Sequence, residues 1–544
     1  MKKSFLATTA LYLVVFFSGG VLMGFEMTGS NMLAPYFGSS VYTWGSVIGL
    51  FLTALSLGYL FGGKLADRRP EFKLLCALVV LSGATVSIVP LVTPIIGNWL
   101  LMSKSVGVRG GPLIASLILF TIPSILMGMV SPFAIRLQAK NIEQLGNIAG
   151  KLFALSTFGS IAGTMLTTFV LIPAIGSRSI THALGTTLVV VSAAALLLHG
   201  PTGKRTRHVE ALVLIALIAI LQLLVLTPRG HVTYLQREKD SIVYEVESPY
   251  HLIAVVQSQD LNEKRQFEPT YKLCFNSNIE SEIFRNPPYR SAADYTTMLH
   301  LGLIFKENPK RILVIGGGGG VTPMLLRKTS PESTIDVVEI DEKVYEISKR
   351  FFGLRTSEDG DPQLRYHIDD GRLFLHRSKD TYDMIILDAF SGGGRIPSHL
   401  MTFEFLSLVK SHLSPDGVVV MNIISAVEGK DAKLFHAEYK TYRHKGLFKN
   451  LYAFTRNASP SALPEVQNVI IVAPAARAKP FFNTTALTLK AVEVDYKMPQ
   501  KLPRFKEYAA CIVVHPDSVI TPGSDIPVLT DDYRPVDAIR SYTY

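Results

Sequence analysis

The chain has 544 residues and a formal net charge of +10, with 54 Lys and Arg residues against 44 Asp and Glu residues. A chain of this length is too long for one ordinary domain, and long apolar runs confined to the first 226 residues exclude a uniformly soluble protein. The sequence has no basic stripe interleaved with aromatic residues, so its charge does not indicate nucleic-acid binding. Its three cysteines show no Cys-x-x-Cys or histidine spacing, and we expect neither a metal site nor a disulfide framework.

Seven apolar runs open the chain, each close to the ~20 residues that a helix needs to cross a bilayer. They lie at 6–26, 42–62, 74–93, 112–134, 148–174, 179–199 and 211–227. The first run has no small-residue cleavage site after it, so we expect a span rather than a removable signal peptide. Glycines such as Gly20, Gly159 and Gly163 lie inside these runs and suit close helix packing in lipid. The sequence therefore predicts a polytopic α-helical membrane domain over residues 1–228.

Two features of this domain are candidates for a functional role in addition to a structural one. Glu26 stands at the predicted end of the first span, where it could either be a buried functional carboxylate or reach the interface. The segment GGKLADRRP, residues 62–70, resembles the loop between the second and third helices of major-facilitator transporters. A charged turn that obeys the positive-inside rule explains this segment more simply.

The pattern changes after Pro228. Short alternating and β-branched segments such as TYKLCFNSNIES predict a small β-rich segment over residues 229–300. From residue 301 to 544, strands that are apolar nearly throughout alternate with helix-length segments, as in RILVIGG, TIDVVEID and YDMIILDAF. This alternation predicts a doubly wound, Rossmann-like α/β domain with a parallel sheet covered on both faces.

Four successive predicted strands of this domain end in glycines or carboxylates. Ligands of such sheets bind outside the carboxyl ends of the strands, and glycine lets a ligand approach the backbone without an intervening Cβ. A glycine loop alone would also suit a tight packing turn, but Glu339 follows about 20 residues on, at the spacing of an acid that binds ribose hydroxyls. The residues at the four ends are Gly316, Gly317, Gly318, Gly319 and Gly320, then Glu339, then Asp369 and Asp370, then Asp388. Together they predict a nucleoside site.

The run DDGR…YDMIILDAF resembles Class I S-adenosylmethionine-type enzymes, and residues 240–475 resemble the spermidine synthase (polyamine aminopropyltransferase) family. The whole chain resembles members that carry a multi-helix membrane domain ahead of the catalytic one. The segment ADYTTMLHLGL is similar to the family's Tyr-His-Glu-Met-x-x-His motif, and Asp388 matches the first Asp of its Asp-Ser-x-Asp-Pro motif. The resemblance implies decarboxylated S-adenosylmethionine, or S-adenosylmethionine itself, as co-substrate, and no metal. It implies these cofactor-binding residues: His251, Gly316, Gly317, Gly318, Gly319, Glu339, Asp369, Asp370, Gly371 and Asp388.

The family reaction implies a carboxylate that deprotonates an amine, which then attacks the carbon beside the donor's sulfonium. Asp388 and Tyr295 are the expected catalytic residues. Two family carboxylates are replaced here, because Gly319 stands for the Asp of the glycine motif and Ser391 for the second Asp of Asp-Ser-x-Asp-Pro. Each ion pair to an ammonium lost in this way would cost about 2–5 kcal/mol of binding.

Three explanations of these replacements stay open. Other carboxylates hold the amine, the acceptor is an unusual amine such as a membrane-associated one, or the reaction is a methyl transfer from intact S-adenosylmethionine. The acceptor-binding candidates are Tyr295, Ser391, Glu404, Asp531 and Asp532, with Glu280, Glu282 and Asp294 as further carboxylates. The leading hypothesis is a membrane-bound aminopropyltransferase-like enzyme acting on a putrescine-like polyamine or another amine. A methyltransferase on the same scaffold, and a polyamine or nucleoside transport or sensing protein without turnover, are the alternatives.

Lysine and arginine cluster in alternate loops between the apolar runs, which predicts a multi-pass inner-membrane protein with a cytoplasmic N-terminus. Seven spans would place the C-terminal domain outside. A co-substrate made in the cytosol favours a cytosolic domain instead, and we prefer that side. An eighth span hidden in 93–112 or 146–176 would reconcile the two. The family resemblance also implies a homodimer.

Overall fold

The computed structural model describes residues 2–37, 40–102, 110–139, 141–199, 240–262, 265–276, 278–286, 290–391, 394–457, 459, 461–475, 484–513, 526–534 and 536. The chain divides into two compact units, which are described separately. The first comprises Met1–Leu235 and Glu247–His251, and the second comprises Gln236–Val246 and Leu252–Tyr544.

The first unit is built from helices. They are α1 (Lys2–Phe37), α2 (Val41–Arg68), α3 (Phe72–Met102), α4 (Gly110–Gly128), α5 (Val130–Gln138), α6 (Leu145–Leu166), α7 (Ile172–Ile175) and α8 (Ser177–His199). Six segments are long and apolar enough to cross a membrane: Leu6–Phe37, Val41–Arg68, Phe72–Leu100, Gly110–Gln138, Leu145–Leu171 and Ser177–Leu198. Six of the seven predicted runs are thus candidate spans by length and composition, and the seventh, 211–227, lies outside the described residues. In the described parts of 93–112 and 146–176 there is no additional span.

Glycines bring α1 and α6 into backbone contact. A Cβ added to Gly159 would lie 2.0 Å from the carbonyl oxygen of Phe16, and one added to Gly163 would lie 2.1 Å from that of Gly20. Without a hydrophobic drive between helices in lipid, small residues stabilise association by allowing this close approach. These glycines therefore have the packing role that the sequence predicted.

The first helix is longer than predicted. The first run was expected to end at Glu26, whereas α1 continues to Phe37, so Glu26 lies about three turns inside the helix. The prediction that Glu26 stands at a span end is therefore wrong. In the GGKLADRRP segment, Asp67 forms an exposed ion pair with Arg136 at 3.1 Å. This pair ties the end of α2 to α5.

The second unit begins with a five-stranded antiparallel sheet in the order β1-β2-β3-β4-β5. Its strands are β1 (Ser241–Glu247), β2 (Leu252–Leu261), β3 (Phe267–Phe275), β4 (Asn278–Phe284) and β5 (Arg290–Ser291). Alternate residues such as Val255, Leu273 and Ile283 are buried and pack into one core with the larger sheet that follows. The predicted β-rich segment is this sheet.

The larger sheet has seven strands in the order β11-β12-β10-β9-β6-β7-β8. They are β6 (Arg311–Ile315), β7 (Thr334–Glu339), β8 (Leu364–Ile368), β9 (Tyr382–Leu387), β10 (Leu413–Ser425), β11 (Tyr452–Thr455) and β12 (Gln467–Pro474). The helices are α9 (Asp294–Leu299), α10 (Val321–Thr329), α11 (Glu342–Phe352), α12 (Gly371–Arg377), α13 (Phe403–Ser411), α14 (Lys433–Arg443), α15 (Thr484–Lys497) and α16 (Phe505–Ala510).

Five adjacent strands, β10, β9, β6, β7 and β8, are parallel, and β12 and β11 add antiparallel pairs at the opposite edge from β8. Both faces are covered, since Ile312 and Val314 of β6 enter one core cluster and Leu313 and Ile315 enter the other. The chain runs from β6 outward to β8 and then returns to β9 on the other side of β6. Doubly wound sheets bind ligands at such a reversal, outside the carboxyl ends of the two flanking strands, here β6 and β9. The predicted α/β architecture is confirmed.

Candidate active site

The glycine loop that follows β6 is pressed against the ends of the neighbouring strands. Gly316, Gly318 and Gly320 have φ values of +100°, +47° and +72°, which favour glycine. The Gly316 N–H donates to the carbonyl oxygen of Val338 at 2.9 Å, and a Cβ added to Gly316 would lie 2.3 Å from the carbonyl oxygen of Asp388. Both the backbone conformation and the space around it therefore require glycine in this loop.

Glu339 at the end of β7 is held inside this loop. Its Oε2 accepts the Gly317 N–H at 2.8 Å, and its Oε1 accepts the Asp341 N–H at 3.1 Å. Burial raises the pKa of the Glu339 carboxyl, and the two N–H donors act in the opposite direction. A buried carboxyl thus lies directly behind the loop backbone, and its predicted role toward ribose hydroxyls stays a prediction.

A tyrosine ring covers the same part of the loop. The Tyr366 hydroxyl oxygen would lie 1.9 Å from a Cβ added to Gly317, and the Tyr366 ring stacks on Tyr345 with ring centroids 4.3 Å apart. Gly317 therefore leaves room for Tyr366, a contact that the sequence did not predict.

The carboxylates that follow β8 organise the start of α12. Asp370 accepts the N–H groups of Arg372 and Leu373 at 2.9 and 3.0 Å, and its other oxygen lies 2.9 Å from His399 Nε2. Burial opposes ionisation of Asp370, but these hydrogen bonds prevail and hold its pKa below the usual range. Asp369 binds Arg377 at 3.0 Å.

Gly371 follows them as the first residue of α12. A Cβ there would lie 2.4 Å from Ile315 Cγ2, so glycine is what lets α12 start against β6.

Asp388 follows β9 at the reversal point of the sheet. Its N–H donates to the Ile315 carbonyl oxygen at 2.8 Å, which fixes its backbone beside the glycine loop. Its Oδ1 accepts a hydrogen bond from Asn422 Nδ2 at 2.9 Å, and Asn422 Oδ1 accepts one from Asn468 Nδ2 at 3.0 Å. Burial raises the pKa of Asp388 to about 7, while the Asn422 bond opposes that rise. The carboxyl is therefore able to accept a proton near neutral pH.

Tyr295 and Ser281 connect the small sheet to this site. The Tyr295 hydroxyl donates to the carbonyl oxygen of Glu280 at 2.8 Å, and the Ser281 hydroxyl accepts the Gly319 N–H at 2.9 Å. Burial and then the negative charge of Asp388 raise the pKa of Tyr295 well above its usual range, so this phenol is neutral.

Gly319 stands where the resembling family carries an Asp, and neighbouring side chains fill the space around it. A Cβ added to Gly319 would lie 2.9 Å from Ser281 Cβ and 3.0 Å from Phe352 Cδ1. A residue of β4 and one at the end of α11 thus occupy the space that a larger side chain would need. The sequence showed the missing carboxylate but not what replaces it.

Several acceptor-binding candidates make contacts of their own. Asp531 forms a bidentate pair with Arg372 at 2.7 and 2.5 Å, and its N–H donates to Glu404 at 2.9 Å. The Arg372 guanidinium holds the pKa of Asp531 at about 2. The Ser391 hydroxyl donates to the Arg395 carbonyl oxygen at 3.1 Å, and Asp532 is exposed. Asp531 and Glu404 thus anchor the C-terminal tail, and their roles toward an acceptor stay predictions.

The remaining candidates lie at the small sheet and around α9. His251 directly precedes β2 and is buried, and burial lowers its pKa to about 4, so its ring is neutral at pH 7. Glu282 pairs with Lys272 at 3.2 Å, and Asp294 lies 3.7 Å from Arg456. The assignment of His251 to the co-substrate stays a prediction. No group of three or more potential metal ligands occurs among the described residues.

This arrangement suits proton removal beside a bound nucleoside. Asp388 has a pKa matched to neutral pH, and a general base is most effective when its pKa lies near the working pH. Tyr295, close enough to Asp388 to sense its charge, supplies a neutral hydroxyl. The glycine loop lies next to this carboxyl, since the Asp388 N–H is bonded to the Ile315 carbonyl oxygen just before the loop.

Comparisons with known proteins agree with this chemistry. Residues 293–458 match the family model described as the spermine/spermidine synthase domain. A polyamine aminopropyltransferase of Vibrio vulnificus is 37% identical over 220 residues, which cover 40% of this chain and 68% of the relative. Polyamine aminopropyltransferase 2 of Aquifex aeolicus is 24% identical over 422 residues, which cover 76% of this chain and 78% of the relative. The eEF1A lysine and N-terminal methyltransferase of Bos taurus is 34% identical over 128 residues, 22% of this chain and 18% of that protein. The chain therefore belongs to the spermidine synthase (polyamine aminopropyltransferase) family of transferases.

Proposed function

We propose that this protein is a membrane-bound aminopropyltransferase that transfers the aminopropyl group of decarboxylated S-adenosylmethionine to an amine and releases methylthioadenosine. The observation that carries the proposal is Asp388, a carboxyl with a pKa of about 7 at the reversal point of the sheet, beside the glycine loop. Membership of the family supports the reaction class.

In this mechanism Asp388 removes a proton from the acceptor nitrogen. The nitrogen lone pair forms a bond to the carbon beside the donor's sulfonium, and the carbon–sulfur bond breaks with its electron pair going to sulfur. Tyr295, held by the Glu280 carbonyl oxygen, orients the amine without adding charge. Glu339, Asp370 and the glycine loop at Gly317 are assigned to the nucleoside, because they lie at the carboxyl ends of β6, β7 and β8.

The acceptor end of the site differs from that of the family. The position of Gly319 is closed by Ser281 and Phe352, and the Ser391 hydroxyl is engaged by its own loop. Two family carboxylates are therefore absent, one at Gly319 beside the donor's tail and one at Ser391 beside the acceptor. We assign the acceptor to amines that need fewer anionic contacts than a free diamine, and a putrescine-like polyamine serves as the comparison substrate.

A direct assay tests the reaction. Full-length protein is incubated with decarboxylated or intact S-adenosylmethionine and a panel of amines, and methylthioadenosine and S-adenosylhomocysteine are followed by mass spectrometry. We expect methylthioadenosine only with the decarboxylated donor. S-adenosylhomocysteine without methylthioadenosine would refute aminopropyl transfer.

A methyltransferase is the second candidate, and two observations favour it. Gly319 lacks the carboxylate that would hold the ammonium of the decarboxylated donor's tail, and part of the chain is similar to a protein named as a methyltransferase. The same assay separates the two reactions, since each releases a different nucleoside.

The membrane location is part of the proposal and rests on the six candidate spans. We place the protein in the inner membrane with the catalytic domain on the cytosolic side. Reporter fusions at the C-terminus, one active only in the cytosol and one only outside it, test that side. Activity of the second reporter alone would reverse the assignment.

A further inference from the structure

Two asparagines connect the edge of the large sheet to the proposed base. Asn422 on β10 is almost fully buried, with 1% of its surface exposed, and its side chain lies between Asp388 and Asn468 on β12. The distances are 2.9 Å from Asn422 Nδ2 to Asp388 Oδ1 and 3.0 Å from Asn468 Nδ2 to Asn422 Oδ1. We call these two residues and Asp388 the asparagine chain.

The order of donors and acceptors in this chain has a consequence for Asp388. A side-chain amide has a donor end and an acceptor end. Because the acceptor end of Asn422 is taken by Asn468, its donor end is directed at Asp388. A donor directed at one carboxylate oxygen stabilises the ionised form and fixes the plane of the carboxyl group.

The strand register explains how both side chains reach this position. Asn468 pairs across the antiparallel ladder with Ile424, two residues beyond Asn422, so the two asparagines lie on the same face of the sheet. Their neighbours on that face, Val420 and Ile470, belong to the buried core. Asn422 is buried beside this core, and a low local dielectric strengthens the hydrogen bonds of a buried group.

We propose that Asn422 and Asn468 are positioning residues for the transfer reaction: they hold Asp388 by one oxygen, ionised and in a fixed plane, so that its second oxygen receives the acceptor's proton. This inference rests on the proposed role of Asp388 as the base. It gives β10 and β12 a part in the reaction in addition to their structural place in the sheet. The rise in the pKa of Asp388 caused by burial is opposed by the Asn422 hydrogen bond, which agrees with this role.

The test is the pH dependence of kcat/KM in full-length protein carrying Asn422→Ala, Asn422→Asp or Asn468→Ala. Loss of one hydrogen bond to a carboxylate raises its pKa by about one unit. The acidic limb of the kcat/KM profile, where the base becomes protonated, should therefore move up by about one pH unit in Asn422→Ala. Asn422→Asp should move it further, since a second carboxylate would face Asp388. Asn468→Ala should move it less, because Asn422 still donates but is free to turn.

The matched control is Gln467→Ala. Gln467 is the residue before Asn468 on β12, and its amide binds the Ala462 carbonyl oxygen and the Arg456 N–H instead of Asp388. This variant should leave the acidic limb in place. Methylthioadenosine affinity, measured by calorimetry, should be the same in all four variants, which shows that each is folded at the nucleoside site.

Three outcomes separate the inference from the proposal on which it rests. If Asp388→Asn is inactive while the limb of Asn422→Ala does not move, the asparagine chain has no positioning role. The same conclusion follows if Gln467→Ala moves the acidic limb as far as Asn422→Ala does. If Asp388→Asn keeps the full rate, the assignment of Asp388 as the base is wrong.

Discussion

Replacing Gly319 by Asp, which would restore the residue type of the family motif, should destabilise this protein and not improve its activity. The obstacle is local packing. A Cβ at this position would lie 2.9 Å from Ser281 Cβ and 3.0 and 3.2 Å from two atoms of the Phe352 ring. Gly316, Gly318 and Gly320 have positive φ values and Gly319 does not, so the effect comes from contacts and not from backbone strain.

The magnitude follows from two contributions. Overpacking a buried site costs about 1–3 kcal/mol. If Ser281 moves away, the bond from the Gly319 N–H to its hydroxyl is lost, which costs about 1 kcal/mol more. The sum of about 2–4 kcal/mol corresponds to a fall of roughly 3–6 °C in the melting temperature of the second unit.

The assay is thermal unfolding of the full-length protein in detergent, followed by tyrosine and tryptophan fluorescence, with kcat/KM measured in parallel. Gly319→Ala adds only the Cβ and should show the overpacking part of the effect. The pair Ser281→Gly with Gly319→Ala should recover some of it, because the 2.9 Å contact disappears while the Phe352 contact stays. A Gly319→Asp variant as stable as the parent, with a higher kcat/KM for a diamine, would refute this reasoning.

Three further predictions address the base, the loop and the tail. Since burial raises the pKa of Asp388 to about 7 and a base must be ionised, kcat/KM should fall as pH drops through about 7; a profile flat from pH 5 to 8 would contradict this. Gly317→Ala should weaken methylthioadenosine binding in calorimetry, because its Cβ would lie 1.9 Å from the Tyr366 hydroxyl oxygen, and adding Tyr366→Phe should restore part of the affinity. Asp531→Asn should lower the unfolding free energy by about 1 kcal/mol at pH 7, because its ion pair with Arg372 is partly exposed and such a pair contributes less than a buried one. The folded pKa of Asp531 is depressed to about 2, so its stabilisation is present above pH ~4 and is lost as pH falls toward 2, where parent and variant should unfold alike.

The residues at strand ends are predictable because their positions follow from one rule. Hydrophobic strands such as RILVI and YDMIIL identify the parallel sheet, and whatever follows each strand must lie at the same edge. The sequence alone therefore places Glu339 and Asp388 beside the glycine loop, and the Glu339 bond to the Gly317 N–H agrees with that placement.

The residues that complete the site could not be found in this way. Ser281, Phe352 and Asn422 reach it from β4, the end of α11 and β10, and their contacts depend on register and packing across long stretches of chain. A lone Ser or Asn in an apolar strand has no periodicity or spacing that marks it. The end of the first span was misplaced for a related reason, since α1 continues past Glu26 through residues whose hydropathy is lower but whose packing still supports a helix.

The burial of Asp388 supports its proposed role as the base toward an amine. In water an ammonium has a pKa of about 10.4 and an aspartic acid one of about 3.9, so moving a proton between them would cost about 9 kcal/mol. Burial raises the pKa of Asp388 to about 7, which leaves a gap of about 3.4 units, or about 5 kcal/mol, before any change at the amine.

Exclusion of water acts on both partners, because the burial that raises the pKa of a carboxyl lowers the pKa of an ammonium. A further rise in the pKa of Asp388 would bring the two groups closer but would leave the carboxyl protonated at neutral pH and unable to act. Asn422 opposes that rise through its bond to Oδ1. Burial and the asparagine chain therefore act in opposite directions on one group, and their balance keeps Asp388 both basic enough to take the proton and ionised enough to be ready for it.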